Sequence, residues 1–171
     1  SLPSPCRLTP SLTNIWESRV PFTKAKPIVI LMADDDEDDR LLAQDALRES
    51  RVLNELHCVE DGVQLLEYLR KEGKYSEADA APRPGLILLD LNMPRMDGRE
   101  ALEQIKLDPN LRSIPIVILT TSAQEEDMVK GYDLGAASYI TKPVTFEGLV
   151  ALMSALGKYW VEFVELPTSN N

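Results

Sequence analysis

The sequence predicts an α/β protein: a doubly wound, five-stranded parallel sheet flanked by five helices. Three observations predict it. The runs Ile28-Val29-Ile30-Leu31-Met32-Ala33, Leu86-Ile87-Leu88-Leu89 and Ile116-Val117-Ile118-Leu119 are apolar throughout, as strands covered on both faces must be. Segments with apolar residues at helical spacing separate them, giving the alternation of a parallel sheet. Each run also stops on a polar residue. Asp34 and Asp35 end the first, Asp90 the second and Thr120 the third, while Tyr139-Ile140-Thr141 leads into Lys142-Pro143. Ligand sites of open α/β sheets lie at that carboxyl edge.

Residues 1–26 contain Pro3, Pro5, Pro10 and Pro21 and no sustained periodicity, and read as an arm with Asn14-Ile15-Trp16 as its anchor. Trp16 is expected to dock. After the first strand, Asp36 can cap a helix carrying Leu41, Leu42 and Ala46. A second strand, Val52 to Val59, leads to Asp61-Gly62 and a helix with the stripe Leu65, Leu66 and Leu69. Lys71 to Pro84 is a polar connection broken by Gly73, Pro82 and Pro84. Asp97 and Glu100 have capping-box spacing, with Ala101, Leu102 and Ile105 following on one face and Asp108-Pro109 ending the helix. Ser122 and Glu125 form a second such box before Met128, Val129 and Tyr132, and Gly135 stops that helix. Thr145 can cap the last helix, with Leu149, Leu152, Met153 and Leu156 inward.

Composition narrows the function. The chain has 171 residues, of which 44% are hydrophobic, and carries a formal charge of −10. That length suits one domain with modest extensions. With a pI near 4.6, the charge argues against sequence-independent nucleic-acid binding, which runs on clustered Lys and Arg. Cys6 and Cys58 are too few for a disulfide scaffold, and Cys58 reads as a small buried hydrophobe. No apolar stretch is long enough to span a bilayer and no signal-peptide core is present, so a reducing cytoplasm is expected.

The strand ends suggest the chemistry. A carboxylate can take a phosphoryl group as an acyl phosphate. The step needs in-line placement and neutralised charge on the phosphoryl oxygens, which Mg²⁺ supplies with few protein oxygens. Asp35 and Asp90 are read as direct metal ligands, Asn92 as a backbone-oxygen ligand and Asp34 as a ligand through water. Lys142 would add a mobile charge to a phosphoryl oxygen and Thr120 a hydroxyl hydrogen bond.

Over residues 26–157 the chain resembles the receiver domain of two-component response regulators. The matching motifs are Ala33-Asp34-Asp35-Asp36, Leu89-Asp90-Leu91-Asn92-Met93-Pro94 with Asp97-Gly98, Leu119-Thr120-Thr121-Ser122, and Tyr139-Ile140-Thr141-Lys142-Pro143. The resemblance implies a flavodoxin-like fold, Asp90 as phosphoacceptor, Asp34 and Asp35 as the acidic pair, and Thr120 and Lys142 as switch residues. It places Thr121 beside the switch and Tyr139 as its aromatic. Asp97-Gly98-Arg99-Glu100, Lys106-Leu107-Asp108-Pro109 and the closing Tyr159-Trp160-Val161-Glu162-Phe163-Val164-Glu165-Leu166-Pro167 look like single-domain regulators that partner bacterial and cyanobacterial phytochrome histidine kinases.

The expected organisation is thus an arm (1–26), a receiver (27–157) and an aromatic tail (158–171). Too little chain follows Pro143 for an output domain, so output is expected through protein contacts. Tyr159, Trp160 and Phe163 form an aromatic stripe that either packs against its own domain or forms a subunit interface, and a homodimer through the fourth predicted helix, the fifth strand and the last helix would bury it. The enzyme alternative is a Mg²⁺-dependent phosphatase with an aspartyl nucleophile. It needs a second acid two residues on, where this chain has Asn92, so hydrolysis of the acyl phosphate should be slow. A nucleotide-binding module is disfavoured because no glycine-rich loop follows any strand. His57, the single histidine, reads as a strand residue and not a phosphodonor.

Overall fold

Alternation within the strands decides the layers. The structure, a computed structural model, describes residues 27–51, 53–121 and 138–163, without the side chains of 120 and 158–163. The strands are β1 (Val29–Ala33), β2 (Glu55–Val59), β3 (Leu86–Asp90), β4 (Ile116–Thr120) and β5 (Ser138–Thr141), all parallel and ordered β2-β1-β3-β4-β5. The helices are α1 (Glu37–Glu49), α2 (Gly62–Arg70), α3 (Gly98–Leu107) and α4 (Phe146–Phe163). One face of the sheet sends Leu31, Ala33, Ile87, Leu89, Ile116 and Ile118 against α2 and α3. The other sends Ile30, Met32, Leu86, Leu88, Val117 and Leu119 against α1 and α4. Side chains of successive strand residues point to opposite faces, so continuous apolar runs feed both cores at once. This is the doubly wound parallel sheet the sequence predicts. The helix expected from Ser122, with Gly135, lies outside the described residues, as do Cys6 and the arm with Trp16.

The helix starts follow local chemistry. Asp36, Asp61 and Asp97 cap α1, α2 and α3, accepting from Asp38 N, from Gln64 N, and from both Arg99 N and Glu100 N. Thr145 Oγ1 accepts from Gly148 N at 3.0 Å at the start of α4. Each such cap is worth about 1 kcal/mol. Ala101, Leu102 and Ile105 are the buried face of α3, as their spacing predicts.

Two expectations are corrected. The stripe of α1 is Ala43, Ala46 and Leu47, whereas Leu41 and Leu42 are 51% and 44% exposed. Ala43, Ala46 and Leu47 pack with the sheet and with Met153 and Leu156 of α4, and a helix that turns this stripe inward carries the two leucines outward. Strand β2 begins at Glu55, after the exposed Leu53, because Asn54 Oδ1 is taken by Ile28 N at 3.1 Å. His57 lies on β2, 2.7 Å from Glu55 Oε1 and edge-on to Tyr68. Cys58 is half-buried beside Gln44. Leu69 packs only partly, and Tyr68 takes the deeper place, donating its hydroxyl to Pro82 O. Among the described residues no helix is long and apolar enough to cross a membrane.

Candidate functional site

Four strand ends converge on one corner of the sheet. Register pairs Ala33 with Leu89 and Asp90 with Leu119, which puts Asp34, Asp90 and Thr120 at neighbouring strand ends. Asp34 is fully buried, Asp90 is 7% exposed, and Asp35 faces solvent. One carboxylate oxygen from each of these three lies within 4.8 Å of the others. Such an all-oxygen set, open to water on the Asp35 side, fits a hard divalent cation that keeps several waters.

Backbone geometry fixes the acids. Asp34 N donates to Val59 O, Asp34 Oδ1 accepts from Asp36 N at 2.9 Å, and Asp34 O accepts from Arg40 Nη1 at 2.7 Å. Asp90 Oδ1 accepts from Asn92 N at 3.1 Å. Asn92 itself is exposed on the loop after β3. Two glycines seat that loop. A Cβ on Gly98 would press on the backbone carbonyl of Asp90, and one on Gly62 would lie 2.6 Å from Met96 O. The loop is further tied to α2 by Arg95, whose Nε donates to the buried Asp61 Oδ2 at 2.8 Å, with Arg95 in the left-handed region at φ 62°.

Lys142 follows β5 directly and reaches back over the acids. Its Nζ is 2.5 Å from Asp34 Oδ2, 2.6 Å from Asp39 Oδ2 and 3.9 Å from Asp90 Oδ2. Burial works against its charge, but the bonds to Asp34 and Asp39 outweigh it and hold the ammonium well above the ordinary lysine value. Asp90 shows the opposite balance. Burial first, then the negative charges of Asp34 and Asp35, push it up to about 6 despite the Asn92 bond and Lys142. A carboxylate held this high favours whatever brings positive charge to it.

The backbone of Thr120 ends β4 and pairs with Thr141, and its side chain lies outside the described residues. Thr121 is exposed. Tyr139 sits on β5, pairs with Ile118 and is 37% exposed. Sequence reasoning missed two members of this corner. Asp39 was not singled out, although it stands in the first turn of α1, three residues after the cap Asp36. The Asp61–Arg95 pair joins residues 34 apart in sequence, with no local signal.

An open parallel sheet with an acidic triad and a lysine at its carboxyl edge defines a receiver of the two-component kind. The response regulator receiver domain family matches residues 30–154, and the chain belongs to that family. It is 40% identical over 143 residues to response regulator Rcp1 of Synechocystis sp., covering 84% of this chain and 95% of that one. Among solved structures it is similar to the phosphorylated cyanobacterial phytochrome response regulator RcpA, with TM-score 0.72, 42% identity, and 83% and 99% of the two chains covered. The Mn²⁺-bound form of Rcp1 is likewise similar, with TM-score 0.69, 40% identity, and 82% and 99% covered.

Proposed function

We propose that this chain accepts a phosphoryl group on Asp90 from a phosphohistidine of a sensor histidine kinase of the phytochrome type. The observation that carries this reading is Asp90 itself, held at a strand end within one acidic triad beside Lys142. The relatives named as phytochrome response regulators point to the class of kinase. An Asp90 carboxylate oxygen attacks phosphorus, the bond from phosphorus to the donor atom breaks, and the donor leaves with the electron pair. Asp34, Asp35, Asp90 and the backbone oxygen of Asn92 would hold Mg²⁺, which neutralises charge on the phosphoryl oxygens when bound. Lys142 and Thr120 bind those oxygens, and Tyr139 with Thr121 carries the change to the surface. Asn92 offers no acid for the leaving step, so the acyl phosphate decays slowly.

The division into an arm (1–26), a receiver (27–157) and a tail (158–171) belongs to this reading, as does a cytoplasmic setting. The test is transfer from an autophosphorylated phytochrome-type kinase, run beside kinases of other sensor classes. A hydroxylamine-labile product formed faster from the phytochrome-type kinase is expected, and equal rates from all would remove the assignment of partner.

Metal binding should follow pH with a definite sign. Below about pH 6 the metal-free site keeps a proton on Asp90 that a cation must displace. Calorimetric Mg²⁺ affinity should therefore fall about tenfold between neutral pH and pH 5, with one proton released per ion at the lower pH. Affinity that stays flat across this range contradicts Asp90 as a ligand. The same raised value makes the metal-free native state bind more protons than the unfolded chain, so its stability rises as pH falls through that window.

Output is assigned to a symmetric homodimer through the helix predicted from Ser122, β5 and α4. Tyr159, Trp160 and Phe163, read as a tail from the sequence, lie in the last turns of α4. Isologous two-fold contacts are the commonest closed arrangement. Solution mass at micromolar concentration should be that of a dimer, and Trp160→Ala with Phe163→Ala should lower it. A monomer with and without phosphorylation rejects the dimer.

A further inference from the structure

We propose that Asp39 is a positioning residue that holds Lys142 off Asp90 until a phosphoryl group arrives, and so sets how fast Asp90 is modified. The inference rests on Asp90 being the phosphoacceptor.

An ammonium has three donors. Two are spent at 2.5 and 2.6 Å on Asp34 and Asp39, while Asp90 at 3.9 Å is beyond hydrogen-bond reach. A phosphoryl group on Asp90 adds negative charge that Lys142 must meet with its third donor, and because Nζ stands 3.9 Å from Asp90 Oδ2 the move toward that charge stretches one of the two existing bonds. The surroundings decide which. The Asp34 side chain is 1% exposed and cannot be rehydrated if abandoned. It belongs to the triad that could hold a metal ion, and it also accepts from Asp36 N. Asp39 is outside that triad, and its side chain is 34% exposed. It stands in the first turn of α1, where the helix dipole and water both stabilise a free carboxylate. Asp39 is therefore the bond that breaks, and Asp34 the pivot about which Lys142 swings. The competing explanation is a static pair that merely ties α1 to the end of β5.

The experiment compares rates of modification by a small acyl phosphate at saturating Mg²⁺, using the full chain with folding checked by circular dichroism. Asp39→Asn should speed the reaction on the order of fivefold, the change in equilibrium expected for losing a partly exposed ion pair. Asp39→Glu, which keeps the charge, should stay near the unaltered rate. The gain must disappear when Lys142→Ala, or the bulkier Lys142→Met, is already present. An unchanged or slower Asp39→Asn overturns the proposal. So does an equal gain without Lys142, which would reduce Asp39 to a repelling charge. An unaltered chain that takes no phosphoryl group on Asp90 overturns the functional reading and this proposal together, whereas a modified chain indifferent to Asp39 removes only the latter.

Discussion

Asp90→Asn is expected to abolish acceptance of a phosphoryl group from both a small acyl phosphate and a kinase, while leaving the fold intact or more stable. An amide is a poor nucleophile toward phosphorus, and no other carboxylate in the triad has the same setting. Asp34 is fully buried and bonded to Lys142, and Asp35 faces solvent. Stability should move the other way. Raising Asp90 from 3.8 to about 6 reflects the strain of keeping a charge there, up to about 3 kcal/mol at neutral pH without metal. Asn removes that charge, and its amide oxygen can still accept from Asn92 N. Denaturant unfolding in chelator should thus show a midpoint at or above that of the unaltered chain. Persistent hydroxylamine-labile labelling would sink the phosphoacceptor assignment. A lower midpoint would show that Asp90 is satisfied in the native state and that the account of its raised value is wrong.

Gly98→Ala should cost about 2–3 kcal/mol and slow modification of Asp90, although residue 98 carries no functional group. The added Cβ would press on the carbonyl oxygen of Asp90 and lie 2.9 Å from Leu91 Cα. Both are backbone atoms, so no side chain can swing aside. Relief requires moving the first turn of α3 away from β3, which breaks the bond from Gly98 N to Leu91 O at 2.9 Å. That movement drags the residue bearing the reactive carboxylate. Gly73→Ala is the control. Its φ of 57° disfavours a side chain, yet nothing stands within 4 Å, so it should cost about 1 kcal/mol and leave the phosphorylation rate alone. Chemical denaturation and the rate of labelling read both effects. Gly98→Ala as stable and as fast as the unaltered chain would mean the loop after β3 is not seated as described.

Much of this was legible along the chain. Ile87, Leu88 and Leu89 announce a strand covered on both faces because each face needs its own apolar residues, and Asp90 then marks the strand end. Asp36, Asp61 and Asp97 announce helix starts because a short carboxylate reaches free amides only within its own turn. Ala101, Leu102 and Ile105 sit where their spacing put them. The face of α1 was not legible in this way. Leu41, Leu42, Ala43, Ala46 and Leu47 allow two neighbouring stripes, and only packing against the sheet and α4 selects the one with Ala43, Ala46 and Leu47.

Among the described residues, the sequence by itself determined the order of strands and helices, the helix caps, and which acids, hydroxyl and lysine stand at strand ends. All of these depend on neighbours within a few residues, where periodicity and capping chemistry operate. Tertiary structure alone decided who meets whom. Lys142 finds Asp34 and Asp39 across separations of 108 and 103 residues, and Arg95 finds Asp61 across 34. It also decided that burial prevails at Asp90 whereas the bonds to Asp34 and Asp39 prevail at Lys142, so that both are raised, the one against its charge and the other in favour of it. Burial and the exact neighbours of a charge are properties of the packed site, and no run of adjacent residues encodes them.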